Sequence, residues 1–292
     1  MTGRDPDEIW GQSAEEGQRR LSRGPAGLTA TGFVGGVDVM LGVMALTVVS
    51  GALAVSLPEE IAHVGGSLVF GIGLVLLVVG RSELFTENFL VPIAGVIRGR
   101  SGPTDVLRLW GVTMLANLVG LLIVAAILTR AGLVPPETLD AAGKLADTFA
   151  KRDLVAAGLS AVVAGTIMTL LTWLTHAAEG DSARVLIAML IGFLLAVPSL
   201  NHAVVSFGEL LFALFAGTAP FGYGDLARNF GLAVAGNLIG GIGIVFATRL
   251  AQVRGEPGME DRTSVAEPVR PVDDDDDGSA RGLAAVTADG RP

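Results

Sequence analysis

No cysteine occurs among the 292 residues. That absence excludes a disulfide framework, a thiolate metal site and a cysteine nucleophile. Charge is also scarce, at 17% of residues against about 25% in a typical soluble domain. Aromatic residues contribute only 5%, so the 51% hydrophobic fraction is mostly Ala, Val, Leu and Ile, diluted by 40 glycines. This composition argues against a soluble globular enzyme and against a disordered chain. No basic face suggests nucleic acid. Residues 1–27 mix arginines with acids and lack the short apolar core of a signal peptide, so the expectation is that they are retained.

The net charge of -9 is unevenly spread. Residues 255–292 carry 10 acidic and 4 basic side chains, including five aspartates at 273–277. That segment reads as a solvated, disordered acidic tail. Residues 1–27 form an N-terminal segment, and 28–254 form the hydrophobic body.

A helix needs about 20 apolar residues to cross the hydrocarbon core. Six regions qualify: 28–57, interrupted only by Asp38, then 61–80, 109–129, 154–178, 185–208 and 229–248. The chain therefore reads as an all-α, multi-pass membrane protein with six transmembrane helices. The second and fifth regions look broken. Arg81, Ser82 and Glu83 follow the second, and the fifth contains Pro198, Ser199, Leu200, Asn201 and His202. Polar breaks at membrane depth are tolerated where backbone is buried in protein or lines a cavity. Two of them point to a pathway.

Arg4, Arg19, Arg20 and Arg23, then Arg98, Arg100 and Arg108, then Arg249 and Arg254, favour both termini in the cytoplasm. The segment 130–152 dissents, with Arg130, Lys144, Lys151 and Arg152 on the opposite side. An internal repeat is visible at an offset of 120, which aligns Asn117-Leu118-Val119-Gly120 with Asn237-Leu238-Ile239-Gly240. The same shift sets Ser82 on His202 and Thr86 on Ser206. Each half holds three spans, and an odd number forces the halves into opposite orientation, an inverted repeat. The two breaks then meet near the midplane, where half-helix N-termini favour negative charge. A small anion or its neutral acid suits such a site.

Glu83-Leu84-Phe85-Thr86, Asn117-Leu118-Val119-Gly120, the break at Asn201-His202 and Gly236-Asn237-Leu238-Ile239-Gly240-Gly241 together resemble the formate/nitrite transporter family. Gly32-Phe33-Val34-Gly35-Gly36 is similar to its first span. The run 80–88 is similar to an uncharacterised inner-membrane branch of that family. The resemblance implies an aquaporin-like fold, a homopentamer with one pore per protomer, and passage of formate, nitrite or hydrosulfide, often with a proton. It implies no cofactor, no metal and no enzymatic activity. It also implies that His202 is the central pore histidine and that the loop around Thr86 gates the cytoplasmic side.

On this reading Asn201 and Ser206 join His202 and Thr86 as pore groups. Phe85, Leu74 and Phe193 are constriction candidates, and Glu83 and Asn88 brace the loop. Asp38 and Glu209 are costly charges inside apolar spans, with buried pairing, subunit contact, a proton relay or altered selectivity all open. His63 and His176 sit at span ends and read as interfacial.

The sequence also departs from the family pattern. Asn201-His202-Ala203 stands where Glu-His-Ser is usual, and Ser206 where Asn is usual. A family Asn of the fourth span is replaced near Gly165 or Thr166. Lys151 lies near a family Lys but out of register, and Glu87 replaces a small residue. A channel for another small solute and a transport-inactive structural or sensing pentamer therefore stay open. An intramembrane hydrolase built from Ser82, His202 and Glu83 is the contrasting class, disfavoured by the lack of a Gly-x-Ser-x-Gly elbow. The paired Asn-Pro-Ala signature of aquaporins proper is missing.

Overall fold

A computed structural model describes residues 3–99 and 101–255. The acidic tail and Arg100 fall outside them. Among the described residues every regular element is helical.

The first helix, α1 (Pro6–Leu21), carries Asp7 and Glu8 in its first turn and Arg19 and Arg20 in its last, which complements the helix dipole. It buries Ile9, Trp10, Ala14 and Leu21 along one face. Helix α2 (Pro25–Ala54) and α3 (Glu59–Gly80) pack along each other. A 3₁₀ turn, Phe85–Phe89, leads into the short α4 (Val91–Ile97), which α1 covers. Then come α5 (Pro103–Leu128), α6 (Pro136–Ala150), α7 (Leu154–Ala177), α8 (Asp181–Ala196) and α9 (Ala203–Ala216). The last stretch is continuous: α10 (Tyr223–Leu238), a π-helical segment Ile239–Phe246 and α11 (Ala247–Arg254).

Five of these helical stretches are long and apolar enough to cross a membrane: Pro25–Ala54, Glu59–Gly80, Pro103–Leu128, Leu154–Ala177 and Tyr223–Arg254. The chain is a multi-pass membrane protein. The two interruptions differ in kind. Region 185–208 splits into α8 and α9, of 16 and 14 residues. At 1.5 Å per residue each reaches only about 21–24 Å, short of the roughly 30 Å core. Helix α3, by contrast, is unbroken over 22 residues. Nothing polar enough to stop it occurs before Arg81, so the interruption follows a complete helix instead of dividing one.

The dissenting segment 130–152 is a folded cap. Helix α6 buries Ala142, Leu145, Ala146 and Phe149 in the common core. Lys144 pairs with Glu59 at 3.1 Å and Lys151 pairs with Asp147.

Small residues let backbones touch, as packing without a hydrophobic drive between helices requires. A Cβ on Gly36 would lie 2.1 Å from the Asn117 carbonyl oxygen, and one on Gly165 would lie 2.2 Å from that of Asn237. These contacts lock α2 to α5 and α7 to α10, and thereby position both asparagines.

Candidate functional site

Each interruption begins with a residue in the left-handed region, Arg81 at φ 56° and Ser199 at φ 48°. Such conformations cost about 1–3 kcal/mol each and persist where surroundings over-determine them. One asparagine supplies that determination at each break. Asn117 Oδ1 accepts from Phe85 N at 2.9 Å, while its Nδ2 donates to Gly32 O at 2.6 Å and Glu83 O at 2.9 Å. Asn237 Oδ1 accepts from Ala203 N at 2.8 Å, while its Nδ2 donates to Ala161 O at 2.8 Å and Asn201 O at 3.1 Å. The repeated Asn-Leu-x-Gly motif is thus the device that satisfies backbone freed at the breaks. These bonds equate Arg81 with Ser199, Glu83 with Asn201 and Phe85 with Ala203. The breaks therefore correspond two residues short of the offset of 120 that aligns the asparagines. Leu84, not Ser82, is the counterpart of His202.

Arginines from outside the apolar helices brace both breaks. Arg23 donates to Glu83 Oε1 at 2.5 Å, Arg20 lies 3.5 Å from the same oxygen, and Arg20 also donates to Asn88 Oδ1 at 2.9 Å. Burial weighs against the Arg20 charge, but Glu83, Glu87 and Glu16 around it hold the guanidinium above its ordinary value. Burial likewise pushes Glu16 up; the Arg19 hydrogen bond and the charge of Arg20 outweigh it and hold the carboxyl at about 2. At the second break Arg152 donates to Ser199 O at 2.5 Å and Pro198 O at 2.8 Å. Here Arg152, not Lys151, is the cation that reaches the site.

The two breaks meet at one side-chain contact. His202 Nε2 lies 2.7 Å from Thr86 Oγ1, and both residues are fully buried. The His202 Nδ1 accepts from Val205 N at 3.2 Å, capping α9. A nitrogen that accepts carries no proton, so the neutral ring holds its proton on Nε2 and donates it to Thr86. Among the described residues the Thr86 hydroxyl proton has no assigned acceptor. Asn201 and Ser206 flank this contact: Ser206 Oγ is 2.9 Å from Asn201 Oδ1, and the Asn201 amide exchanges two 3.0 Å hydrogen bonds with Asn229.

The other candidates are placed differently. Phe85 packs edge-on to Phe89 and Trp110, with centroids 5.0 and 6.1 Å away. Leu74 is fully buried, whereas Phe193 is half-buried while Ile191 and Leu195 enter the core. Asn88 also holds its own turn, donating to Leu84 O and accepting at its carbonyl from Trp110 Nε1. Asp38 accepts from Ser82 Oγ at 2.5 Å. Ser82 thus donates to Asp38 while His202 pairs with Thr86, and no Ser82–His202 hydrogen bond occurs among the described residues. Glu209 is buried with Oε2 unpartnered. His63 Nε2 sits 3.0 Å from Val197 O, and His176 Nδ1 sits 2.7 Å from Thr172 O. No group of three or more His, Asp or Glu suited to a metal occurs among the described residues.

A cavity opens toward each break. One of about 870 Å³ is lined by Glu59, His63, Glu137, Asp140, Lys144 and Ser199 among others. A smaller one of about 200 Å³, beside α1, is lined by Arg19, Arg20, Arg81, Ser82, Glu83 and Arg184 among others. Arg20, Arg23, Arg152 and Asn229 were not legible as site residues from their own sequence surroundings.

A family model described as formate/nitrite transporter matches residues 7–251. The chain belongs to the formate/nitrite transporter family. It is similar to an uncharacterized transporter, YrhG, of Bacillus subtilis, at 28% identity over 259 residues, covering 84% of this chain and 93% of the relative. It is 27% identical over 259 residues to the formate channel BtFdhC of Bacillus thuringiensis, covering 84% and 94%. A solved pentameric formate channel with formate bound superposes with a TM-score of 0.65 at 17% identity, covering 80% of this chain and 98% of that one. As a member of a transporter family whose relatives are channels, the protein is not an enzyme.

Proposed function

We propose that this formate/nitrite transporter family member conducts a small monovalent anion or its weak acid, of the formate, nitrite or hydrosulfide type, with proton linkage. Its selectivity contact is the Thr86–His202 pair, and the observation that carries the reading is their 2.7 Å hydrogen bond where the two breaks meet. A neutral imidazole donates to the hydroxyl, and the hydroxyl proton is free for a passing acceptor. Donors in an otherwise apolar throat favour a small anion over a cation.

The halves act as inverted three-helix repeats, supported by the matched asparagine networks, and the six crossings put both termini in the cytoplasm of an inner-membrane protein. The pairing of Lys144 and Lys151 with acids, and the use of Arg152 at a break, weaken the dissent of segment 130–152. A homopentamer is supported by the pentameric neighbour and by the exposed leucines on the outward faces of α5, α7 and α8.

The test is flux of formate, nitrite and hydrosulfide through the purified protein in liposomes. His202→Phe should abolish the flux or change its selectivity. Wild-type flux no greater than that of empty liposomes for every anion would overturn the proposal. A transport-inactive pentamer would then be the better reading.

A further inference from the structure

Glu209 is the one buried carboxylate of the α9 arm that the site above leaves unused. It is 4% exposed, and its Oε2 has no hydrogen-bond partner. It stands seven residues after His202, which returns it to within about 20° of the same helix face, about 10 Å further along the axis. Ser206 lies between them on that face and bonds back to Asn201.

Helix α9 packs against α2, α5, α6, α10 and the 3₁₀ turn. The charged groups on those elements are mostly committed elsewhere. Asp38 is held by Ser82, Glu87 by Leu84 N, Lys144 by Glu59 and Lys151 by Asp147. Asp105 and Asp225 cap the starts of α5 and α10, and Arg108 bonds Leu21 O. Glu137, Asp140 and Arg228 line cavities nearer the surface.

Among the described residues Arg152 is the charged group that acts on Glu209. Burial draws the Arg152 guanidinium down, and the Glu209 carboxylate opposes that shift. Yet three of the Arg152 N–H groups go to Ser160 and the carbonyls of Pro198 and Ser199, and no Arg152–Glu209 ion pair occurs among the described residues. An unpaired carboxylate inside a membrane costs several kcal/mol. The protonated form avoids that cost and presents an O–H donor in the arm that His202 begins.

Building on the channel reading above, we infer that Glu209 is the proton-carrying residue of the pathway and sets its proton-to-anion coupling. The Glu209 carboxyl gives its proton to an entering anion, leaving a carboxylate and a neutral acid that passes the His202–Thr86 contact. The carboxylate then takes a proton from water. One proton crosses with each anion, and nothing else is consumed.

The experiment uses the full chain in liposomes, formate as the probe and a pH-sensitive dye in the lumen. Wild type should carry formate inward with luminal acidification, without needing a potassium–valinomycin shunt. Glu209→Gln should lose the acidification, and its remaining formate entry should depend on the shunt. If wild type carries no formate, the channel reading fails. If wild type and Glu209→Gln acidify the lumen equally per formate, the channel reading stands and the Glu209 assignment falls. Wild-type flux that stops when sodium is replaced by choline at constant pH would make the carboxylate a cation site and overturn the assignment. Should Glu209→Gln not fold, infrared spectra of wild type and Glu209→Asp decide. A buried protonated-carboxyl band at neutral pH that responds to formate and shifts in Glu209→Asp is expected. Its absence in wild type overturns the proposal.

Discussion

Replacing Asn237 by Leu tests the bracing argument directly. The side chain keeps roughly its volume and loses both polar ends. Three backbone groups, Ala203 N, Ala161 O and Asn201 O, would be left without their 2.8–3.1 Å partners in a fully buried setting. Ala161 O keeps its intrahelical bond within α7, so Ala203 N and Asn201 O are the groups left unpaired; at about 1–3 kcal/mol each, the change should cost about 2–6 kcal/mol before relaxation. Folded domains are held by about 5–15 kcal/mol, so a loss of that size is readily seen. Asn117→Leu should cost a similar amount, because its three bonds to Phe85 N, Gly32 O and Glu83 O are the counterparts. Asn229→Leu is the internal comparison. It breaks two 3.0 Å bonds to Asn201, but at a half-buried position open to water, so its cost should be the smaller. Thermal unfolding in detergent, followed by tryptophan fluorescence, measures all three. If Asn237→Leu unfolds no earlier than Asn229→Leu, the asparagines do not hold the breaks.

Two further outcomes follow from the same geometry. The Glu16 carboxyl is held down at about 2 from an ordinary 4.5, so its share of α1 docking is present above 4.5 and is lost as pH falls through about 2. Protection of α1 amides, relative to their intrinsic exchange at each pH, should therefore hold from neutral pH to about 4 and fall only in stronger acid; loss of protection near pH 5 would contradict the ion cluster around Arg20. Gly165→Asn should destabilise the protein, because its Cβ would sit 2.2 Å from the Asn237 carbonyl oxygen. Overpacking of this kind costs about 1–3 kcal/mol, and an unchanged melting temperature would show that α7 and α10 can separate freely.

The spans were legible because lipid demands long uncharged runs, and the breaks because Pro198, Asn201 and His202 interrupt one of them. The register of the breaks was not. Sequence similarity tracks the asparagines, whereas the backbone they hold is two residues out of step, so Thr86 has no polar counterpart and meets His202 itself. Arg20, Arg23 and Arg152 looked like signals of orientation, because a guanidinium bound to a distant carboxylate, amide or carbonyl leaves no local pattern. Asp38 looked like an isolated membrane charge, and only the fold brings Ser82 to it. Helix α3 looked broken because its apolar run is followed at once by charge; in fact it runs unbroken for 22 residues, long and apolar enough to cross, before the break.

If the proposed pathway runs through the two cavities, their charges are asymmetric, and that constrains what enters from each side. Beside α1 the cavity wall carries Arg19, Arg20, Arg81 and Arg184 against Glu16, Glu83 and Glu87. Beside α6 the wall carries Glu59, Glu137, Asp140 and Asp147 against Lys144, and that lysine is already paired with Glu59. Low-dielectric walls focus such fields and change local ion concentrations. An anion therefore approaches favourably from the α1 side and against repulsion from the α6 side. The acidic wall has the opposite effect on protons, raising their local concentration. Formate entering from the α6 side should accordingly be more strongly acid-dependent than formate entering from the α1 side. In liposomes sorted for orientation, equal pH profiles in the two directions would show that the acidic cavity does not lie on the path.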